Sequence, residues 1–254
     1  MLQAILPALF FANVQSQVTV TGGTHVPWSP CFHYLERVFA PALREMGGAL
    51  SLEIGDWGWY PKGGGELVAS VSPVAGFHGV ERIQRGRLEE TRLLSAVSNL
   101  PMSIAERQRD QAHRRLEAEG HSGARVEVVQ APSRGAGTLV FIGARFERGV
   151  AGFSSLGKRG KRAEKVADEA CSALAEFMDS QRAVDNHLAD QLVLYMALAH
   201  GRSSFVAGRI TRHLLTNIGV IEEFLPVKFQ VEEETGRVGV KGAGFSVSAP
   251  FPRS

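Results

Sequence analysis

The sequence predicts an α+β protein made of repeated units, each a four-stranded sheet with two helices on one side, plus a small inserted α/β domain. Three features of the 254-residue chain support this class. The order helix, strand, helix, strand, strand occurs near both ends, apolar residues recur at helical spacing, and the middle departs from that order. Helices on one side of a mixed or antiparallel sheet are the α+β arrangement. We therefore predict an incomplete repeat unit at residues 1–82, an inserted domain at 83–148 and a second repeat unit at 149–254.

The first repeat unit begins with an apolar stretch at residues 2–12 that we interpret as a helix. A second helix is indicated by an apolar stripe at helical spacing, formed by Phe32, Leu35, Phe39, Leu43 and Met46. The glycines at positions 47 and 48 end that stripe. Strands are predicted at residues 17–21, 49–54 and 66–71.

The second repeat unit follows the same order with little sequence identity, which indicates an internal repeat. Its first helix, residues 188–199, carries Leu188, Leu192 and Met196 on one face. A strand at 203–206, a helix at 214–224 and strands at 227–232 and 238–241 complete the unit.

The inserted domain is predicted to contain strands at residues 88–97, 125–130 and 139–146. Ser103 and Glu106 have the spacing of a capping box, which opens a helix that continues to about residue 119. This helix carries four arginines, which form either a solvated face or an RNA-binding patch: Arg107, Arg109, Arg114 and Arg115.

Composition restricts the function classes. With 44% hydrophobic and 21% charged residues, the chain can bury a sizeable core, and its net charge of +2 is too small for wholesale coating of nucleic acid. Binding of RNA or phosphate must therefore rest on local clusters. Cys31 and Cys171 have no metal-binding spacing and are too few for a disulfide scaffold, so we expect a reducing, cytoplasmic setting. Cys171 is expected in a core.

The N-terminal residues 1–11 are an apolar run, and no charged side chain precedes Glu36. The run lacks the basic region of a secretory signal and is too short to span a bilayer, so no membrane partner is expected. We expect the chain to open inside a buried helix, as though a further segment preceded it.

Two loops are candidate binding sites. The glycine- and proline-rich residues 22–30 either present backbone N–H groups to a ligand or form a plain structural turn. Residues 157–165 carry five positive charges against one negative just before a predicted helix at 163–178. Such clusters suit phosphate, and a generic basic loop is the alternative. The spacing of a Walker A loop is absent.

Two helices carry candidate catalytic residues. His187, Asp190 and Gln191 occupy positions i, i+3 and i+4 and share one helix face. A carboxylate there suits a divalent cation bound through a nucleotide's phosphates, whereas capping and surface solvation are the alternative. His213 falls in the first turn of the next helix, whose N-terminus favours phosphate, although caps and ordinary surface residues also occur there.

Five segments in order resemble the RNA 3′-terminal phosphate cyclases. They are GGTHVPWSP at residues 22–30, YPKGGGE at 60–66, LGKRG at 156–160, HLADQL at 187–192 and HLLTNI at 213–218. The resemblance covers nearly the whole chain and implies the repeated fold with a small insert. It also implies a ligase that uses ATP to convert a 3′-phosphate at an RNA end into a 2′,3′-cyclic phosphate.

The resemblance also implies roles for residues. His213 is the implied nucleophile, which attacks the α-phosphate of ATP and carries AMP as a phosphoramidate. The implied nucleotide-binding residues are Gln3, Pro30, Ser154, His187, Asp190 and Gln191. Asp190 is also the implied ligand of Mg²⁺ or Mn²⁺. The family often has an aromatic residue at or beside the Ser154 position, where Phe153 is the neighbour here.

One departure from the family lies at the start of the chain. Family members begin with a further repeat that carries a Glu-Gly-Gly-Gly-Gln motif and several arginines of the active site, and this repeat is absent from the sequence. The resemblance therefore implies a fragment, a misassigned start or a decayed copy, with impaired activity.

Two alternatives stand beside the cyclase. The first is a non-catalytic relative that binds RNA or serves ribosome assembly. Relatives of that kind lack the nucleophilic histidine, so His213 argues against this alternative. The second is a nucleotide-activating enzyme for another phosphorylated end or metabolite, because no RNA base-reading motif is visible.

Overall fold

The computed structural model describes residues 1–180 and 182–246, which form three sheets and the helices that cover them. The predicted α+β class is confirmed. None of the helices in this described part combines the length and apolar character that a membrane crossing requires.

The first repeat unit contains three strands, at the places where three were predicted for this incomplete unit. Its elements are α1 (Leu2–Phe10), β1 (Ser16–Gly22), α2 (Phe32–Tyr34), a π-helical segment (Leu35–Phe39), α3 (Ala40–Glu45), β2 (Ala49–Ile54) and β3 (Gly65–Ser72). β3 lies between β1 and β2 and is antiparallel to both. The apolar N-terminal run forms α1, which buries Leu2, Leu6 and Phe10 against the core, as predicted.

The second repeat unit has the same topology. Its elements are α6 (Asn186–Leu198), β9 (Arg202–Val206), α7 (Arg212–Phe224), β10 (Phe229–Glu232) and β11 (Arg237–Lys241). β11 lies between β9 and β10 as β3 lies between β1 and β2, which supports the internal repeat. A two-residue strand, β4 (Glu81–Arg82), pairs in parallel with β9 and gives this sheet its fourth strand.

The third sheet lies between the two repeat units in sequence. Its elements are β5 (Leu88–Ser98), α4 (Met102–Ala118), β6 (Arg125–Gln130), β7 (Gly137–Phe146), β8 (Gly149–Leu156) and α5 (Ala163–Asp179). The strand order is β6-β5-β7-β8, with β5 and β6 parallel and connected through α4. β8 and α5 come after residue 148, where the inserted domain was predicted to end, yet β8 belongs to the same sheet as β5, β6 and β7. The domain boundary at residues 148 and 149 stays a prediction.

Both faces of this third sheet are buried, which explains its continuous apolar runs. Leu94 and Phe141 face the core shared with the repeat units. Leu93 and Ile142 face a second core beneath α4 and α5 that also contains the buried Cys171, as predicted for that cysteine.

The predicted capping box at Ser103 is wrong. The residue that caps α4 is Pro101, and no side chain bonds to the first free N–H groups. Ser103 is the second residue of the helix, whereas a capping side chain belongs to the residue just before the helix begins. The arginines of α4 mostly contact acids: Arg107 pairs with Glu164 of α5 and Arg115 with Glu119.

Candidate functional site

His213 is the second residue of α7, and its position follows from the helix cap. Thr211 precedes the helix, and its Oγ1 accepts a hydrogen bond from the backbone N–H of Leu214 at 3.0 Å. Leu214 is buried in the core, so the helix is fixed while the histidine next to it points outward. The His213 side chain is 74% exposed and open to a ligand.

Asp190 of α6 lies against this histidine. Its Oδ2 is 3.2 Å from His213 Nδ1, and its Oδ1 accepts from Thr211 Oγ1 at 3.5 Å. Burial raises the pKa of Asp190, and the nearby His213 opposes that rise. Asn217 Nδ2 also lies 3.3 Å from the same ring nitrogen. A carboxylate only accepts hydrogen bonds, so it favours the tautomer with the proton on Nδ1 and a free lone pair on Nε2.

The N-terminus of α6 is held by a buried carboxylate that the sequence did not identify as part of the site. Asp185 Oδ1 accepts from the backbone N–H groups of His187 at 2.9 Å and Leu188 at 3.0 Å. Tyr34 Oη donates to the same oxygen at 2.6 Å. An Asp just before a helix is a readable N-cap signal, but Tyr34 lies 151 residues away and has no sequence signal.

His187 and Gln191 occupy the same end of α6. His187 is exposed, and its ring meets that of Tyr34 edge-on with centroids 5.8 Å apart. Gln191 Oε1 is buried and makes no hydrogen bond within the described residues. A buried acceptor of this kind is available to a donor group of a ligand.

Gln3 and Pro30 line one cavity of about 210 Å³ at the junction of α1, the start of α2 and the end of β1. Ser154 of β8 is exposed and lies beside the thiol of Cys31, the neighbour of Pro30. Burial raises the pKa of that thiol to about 11, so Cys31 is a neutral packing group here.

The predicted site residues therefore form two groups. His187, Asp190 and His213 meet where α6 and α7 begin, while Gln3 and Pro30 share the cavity, with Ser154 beside Cys31. The two groups are linked through Tyr34, which lies in the helix after Pro30 and bonds to Asp185 at the start of α6. Their roles in binding stay predictions.

The basic loop at residues 157–165 is partly neutralised. Lys161 pairs with Glu169, and Arg162 lies 3.6 Å from Glu164. Lys158 and Arg159 are exposed and form no salt bridge with the acids of the described chain.

A metal at this site would need ligands from a nucleotide. In residues 1–180 and 182–246, no three His, Cys, Asp or Glu side chains are grouped as metal ligands. Asp190 offers one carboxylate beside His213, which fits Mg²⁺ because that ion commonly takes one or two carboxylates together with phosphate oxygens and water.

Comparison with known proteins identifies the family. A family model described as RNA 3′-terminal phosphate cyclase matches residues 1–231. A protein of Nostoc punctiforme with that name is 39% identical over 240 residues, which cover 94% of this chain and 69% of that protein. A protein of the same name from Pyrobaculum aerophilum is 40% identical over 247 residues, which cover 96% of this chain and 71% of that protein. A third, from Methylococcus capsulatus, is 41% identical over 259 residues, which cover 99% of this chain and 70% of that protein. The chain therefore belongs to the RNA 3′-terminal phosphate cyclase family.

Proposed function

We propose that this chain uses ATP to convert a 3′-phosphate at an RNA end into a 2′,3′-cyclic phosphate, with His213 carrying AMP as a covalent intermediate. The observation that carries the proposal is the 3.2 Å contact between His213 Nδ1 and Asp190 Oδ2, on a histidine that is otherwise exposed. This contact favours the tautomer with the proton on Nδ1, in which the lone pair of Nε2 is the nucleophile. Family membership supports the same activity.

The proposed reaction has three displacements. His213 Nε2 attacks the α-phosphorus of ATP, an N–P bond forms, and pyrophosphate leaves. An oxygen of the RNA 3′-phosphate then attacks the same phosphorus, the N–P bond breaks, and a phosphoanhydride joins RNA to AMP. Finally the ribose 2′-OH loses its proton and attacks the RNA phosphorus, and AMP leaves as the ring closes. Covalent catalysis of this kind divides one difficult step into easier ones.

Asp190 supports the first displacement through charge. As the imidazole attacks, positive charge develops on the ring, and the carboxylate beside Nδ1 stabilises it. Asp190 together with the phosphates of ATP would hold Mg²⁺ or Mn²⁺, which neutralises phosphate charge during transfer. The two cysteines are buried and free, which is compatible with the proposed cytoplasmic setting.

Labelling with ATP tests the nucleophile. We expect the chain to retain label from ATP carrying α-³²P, and none from the γ-labelled form. His213→Ala should abolish the labelling, and Asp190→Asn should slow it about 100-fold, the scale of a lost proton-positioning group. His113→Ala is the matched control, because His113 lies on α4 beside Glu117, away from this site. Undiminished labelling of His213→Ala would show that the nucleophile is another residue.

The RNA substrate separates the later steps. An RNA with a 3′-phosphate on a 2′-deoxy terminal sugar lacks the closing hydroxyl, so we expect RNA-linked AMP to accumulate. An all-ribose RNA should yield the cyclic phosphate and free AMP. A chain that binds RNA but is never labelled by ATP would instead be the non-catalytic relative.

A further inference from the structure

Two aromatic side chains stand exposed beside the cavity that contains Pro30. Trp28 is 93% exposed and Tyr60 is 65% exposed. Their ring centroids are 6.3 Å apart with an interplanar angle of 80°, so the two rings meet edge to face. Most of the indole surface is left to solvent. Trp28 also has a φ of 66°, a left-handed conformation that a bulky residue adopts only at a cost.

The backbone beneath these rings is rigid. Gly58 O accepts the N–H groups of Thr24 and His25, both at 3.0 Å, and Gly58 N–H donates to Thr24 Oγ1 at 2.9 Å. His25 stacks on the buried Trp57 with ring centroids 4.1 Å apart. These contacts join the loop that carries Trp28 to the loop that carries Tyr60, so the backbones of the two loops are held side by side.

Two cations lie beside the pair. Lys62 and Arg134 are exposed, and neither forms a salt bridge with an acid in the described part of the chain. Arg134 runs along the glycine loop, since a Cβ placed on Gly64 would lie 3.1 Å from Arg134 Cδ. A Cβ placed on Gly135 would lie 3.5 Å from Lys62 Cβ, so the two cationic side chains start from adjoining backbone.

We propose that Trp28, Tyr60, Lys62 and Arg134 form a stacking surface for the unpaired nucleotides next to the RNA 3′ end. Exposed aromatic faces flanked by free cations are the features that bind single-stranded nucleic acid without reading its sequence. The pair is also well placed, because Trp28 is followed by Ser29 and Pro30, which line the cavity of the predicted nucleotide site. This inference rests on the proposed function for its choice of RNA as the partner.

RNA binding without ATP tests the surface separately from the chemistry. The readout is the fluorescence anisotropy of a 12-nucleotide, 3′-phosphorylated RNA titrated with the intact chain. Trp28→Leu should weaken binding about tenfold, which is the scale of one lost base stack, whereas Trp28→Phe should retain most of the affinity. Phe224→Ala is the matched control, because Phe224 is an 83% exposed aromatic at the end of α7 and should not matter. Emission of the buried Trp57 and Trp59 reports that each variant is folded.

Two further measurements define the contact. Abasic sugars at the nucleotides nearest the 3′ end should weaken binding to the original chain but have little further effect on Trp28→Leu. Lys62→Ala and Arg134→Ala should each reduce the slope of log K against log salt by about 0.7, the value for one phosphate contact on a single strand. Arg148→Ala is the control, because Arg148 is exposed at the β7–β8 turn, the end of β7 opposite Gly137.

Unchanged RNA affinity of Trp28→Leu would overturn the proposal. The exposed pair would then serve another partner, such as a protein. Because no ATP is present, this result is independent of whether His213 becomes labelled.

Discussion

Two buried histidines contact each other, His25 in the loop that carries Trp28 and His33 in α2, and burial disfavours the protonated form of both. His25 Nε2 lies 3.1 Å from His33 Nδ1, so one ring donates a proton to the other. Burial lowers the pKa of His33 to about 3, and repulsion from Arg37 adds to the effect. Burial also lowers the pKa of His25, with repulsion from His33 as the second cause. Phe141 and Trp57 surround His33 and offer no counter-charge.

These lowered pKa values make the free energy of unfolding depend on pH. A histidine whose folded pKa lies below its unfolded value takes up a proton on unfolding, so stability is present above pH 6.5 and falls as pH drops toward 3. For His33 alone, the loss between pH 7.5 and pH 5 should be about 2 kcal/mol. Urea unfolding at both pH values measures it.

His33→Gln should remove that part of the pH dependence, although it will lower stability at pH 7.5. His121→Gln, in the loop after α4, is the comparison for the same type of substitution away from the buried pair. An equal pH dependence in His33→Gln and the original chain would show that His33 is not the titrating group.

At the scale of a single element, α5 depends on an arginine from outside the helix. Arg85 Nη1 donates to the carbonyls of Phe177 at 3.0 Å and Arg182 at 2.7 Å, and Nη2 donates to Met178 O at 2.6 Å. Its guanidinium also lies 4.8 Å from the centroid of the Phe177 ring. One side chain therefore bonds to two of the last carbonyls of the helix, which have no partners within it, and to the carbonyl of Arg182 just beyond its end.

Removal of this cap should destabilise the protein. Arg85→Leu removes the donor to the carbonyls of Met178 and Arg182, while the Phe177 carbonyl still accepts from Ser180, and we expect a loss of about 3 kcal/mol in the free energy of unfolding. Arg85→Lys should be more stable than Arg85→Leu but less stable than the original chain, because a lysine ammonium keeps the charge and lacks the planar array of N–H donors. Arg87→Leu is the control: its side chain is 89% exposed in an ion pair with Glu147, so it should cost less than about 1 kcal/mol. Urea unfolding compares the three, and similar losses for Arg85→Leu and Arg87→Leu would contradict the capping role.

At the scale of the whole molecule, local patterns were predictable and distant contacts were not. The strand β1 was predictable from the alternation of buried and exposed residues along it, and the helix α6 from its apolar stripe at helical spacing. Both patterns depend only on neighbouring residues. The i, i+3, i+4 spacing placed His187, Asp190 and Gln191 on one face, but nothing local showed that Asp190 meets His213 from another helix. The three strands of the first unit were readable, but their order in the sheet, with β3 in the middle, is a long-range choice that no local pattern shows.

One distant contact joins the first repeat unit to the predicted active site. Tyr34 Oη bonds to Asp185 across 151 residues of sequence, and Asp185 also caps the helix that carries His187 and Asp190. Tyr34→Phe removes a donor from a buried carboxylate whose pKa burial already raises. We expect a loss of about 1–3 kcal/mol in the free energy of unfolding and slower labelling of His213 by ATP, because α6 loses its anchor.

Tyr195→Phe is the matched control for this change. Tyr195 is also buried, and within the described residues its hydroxyl makes no hydrogen bond, so its removal should alter stability by less than about 0.5 kcal/mol. Urea unfolding gives the first comparison, and the labelling rate gives the second. If Tyr34→Phe were destabilised while its labelling rate stayed equal to that of Tyr195→Phe, the contact would stabilise the fold without positioning Asp190.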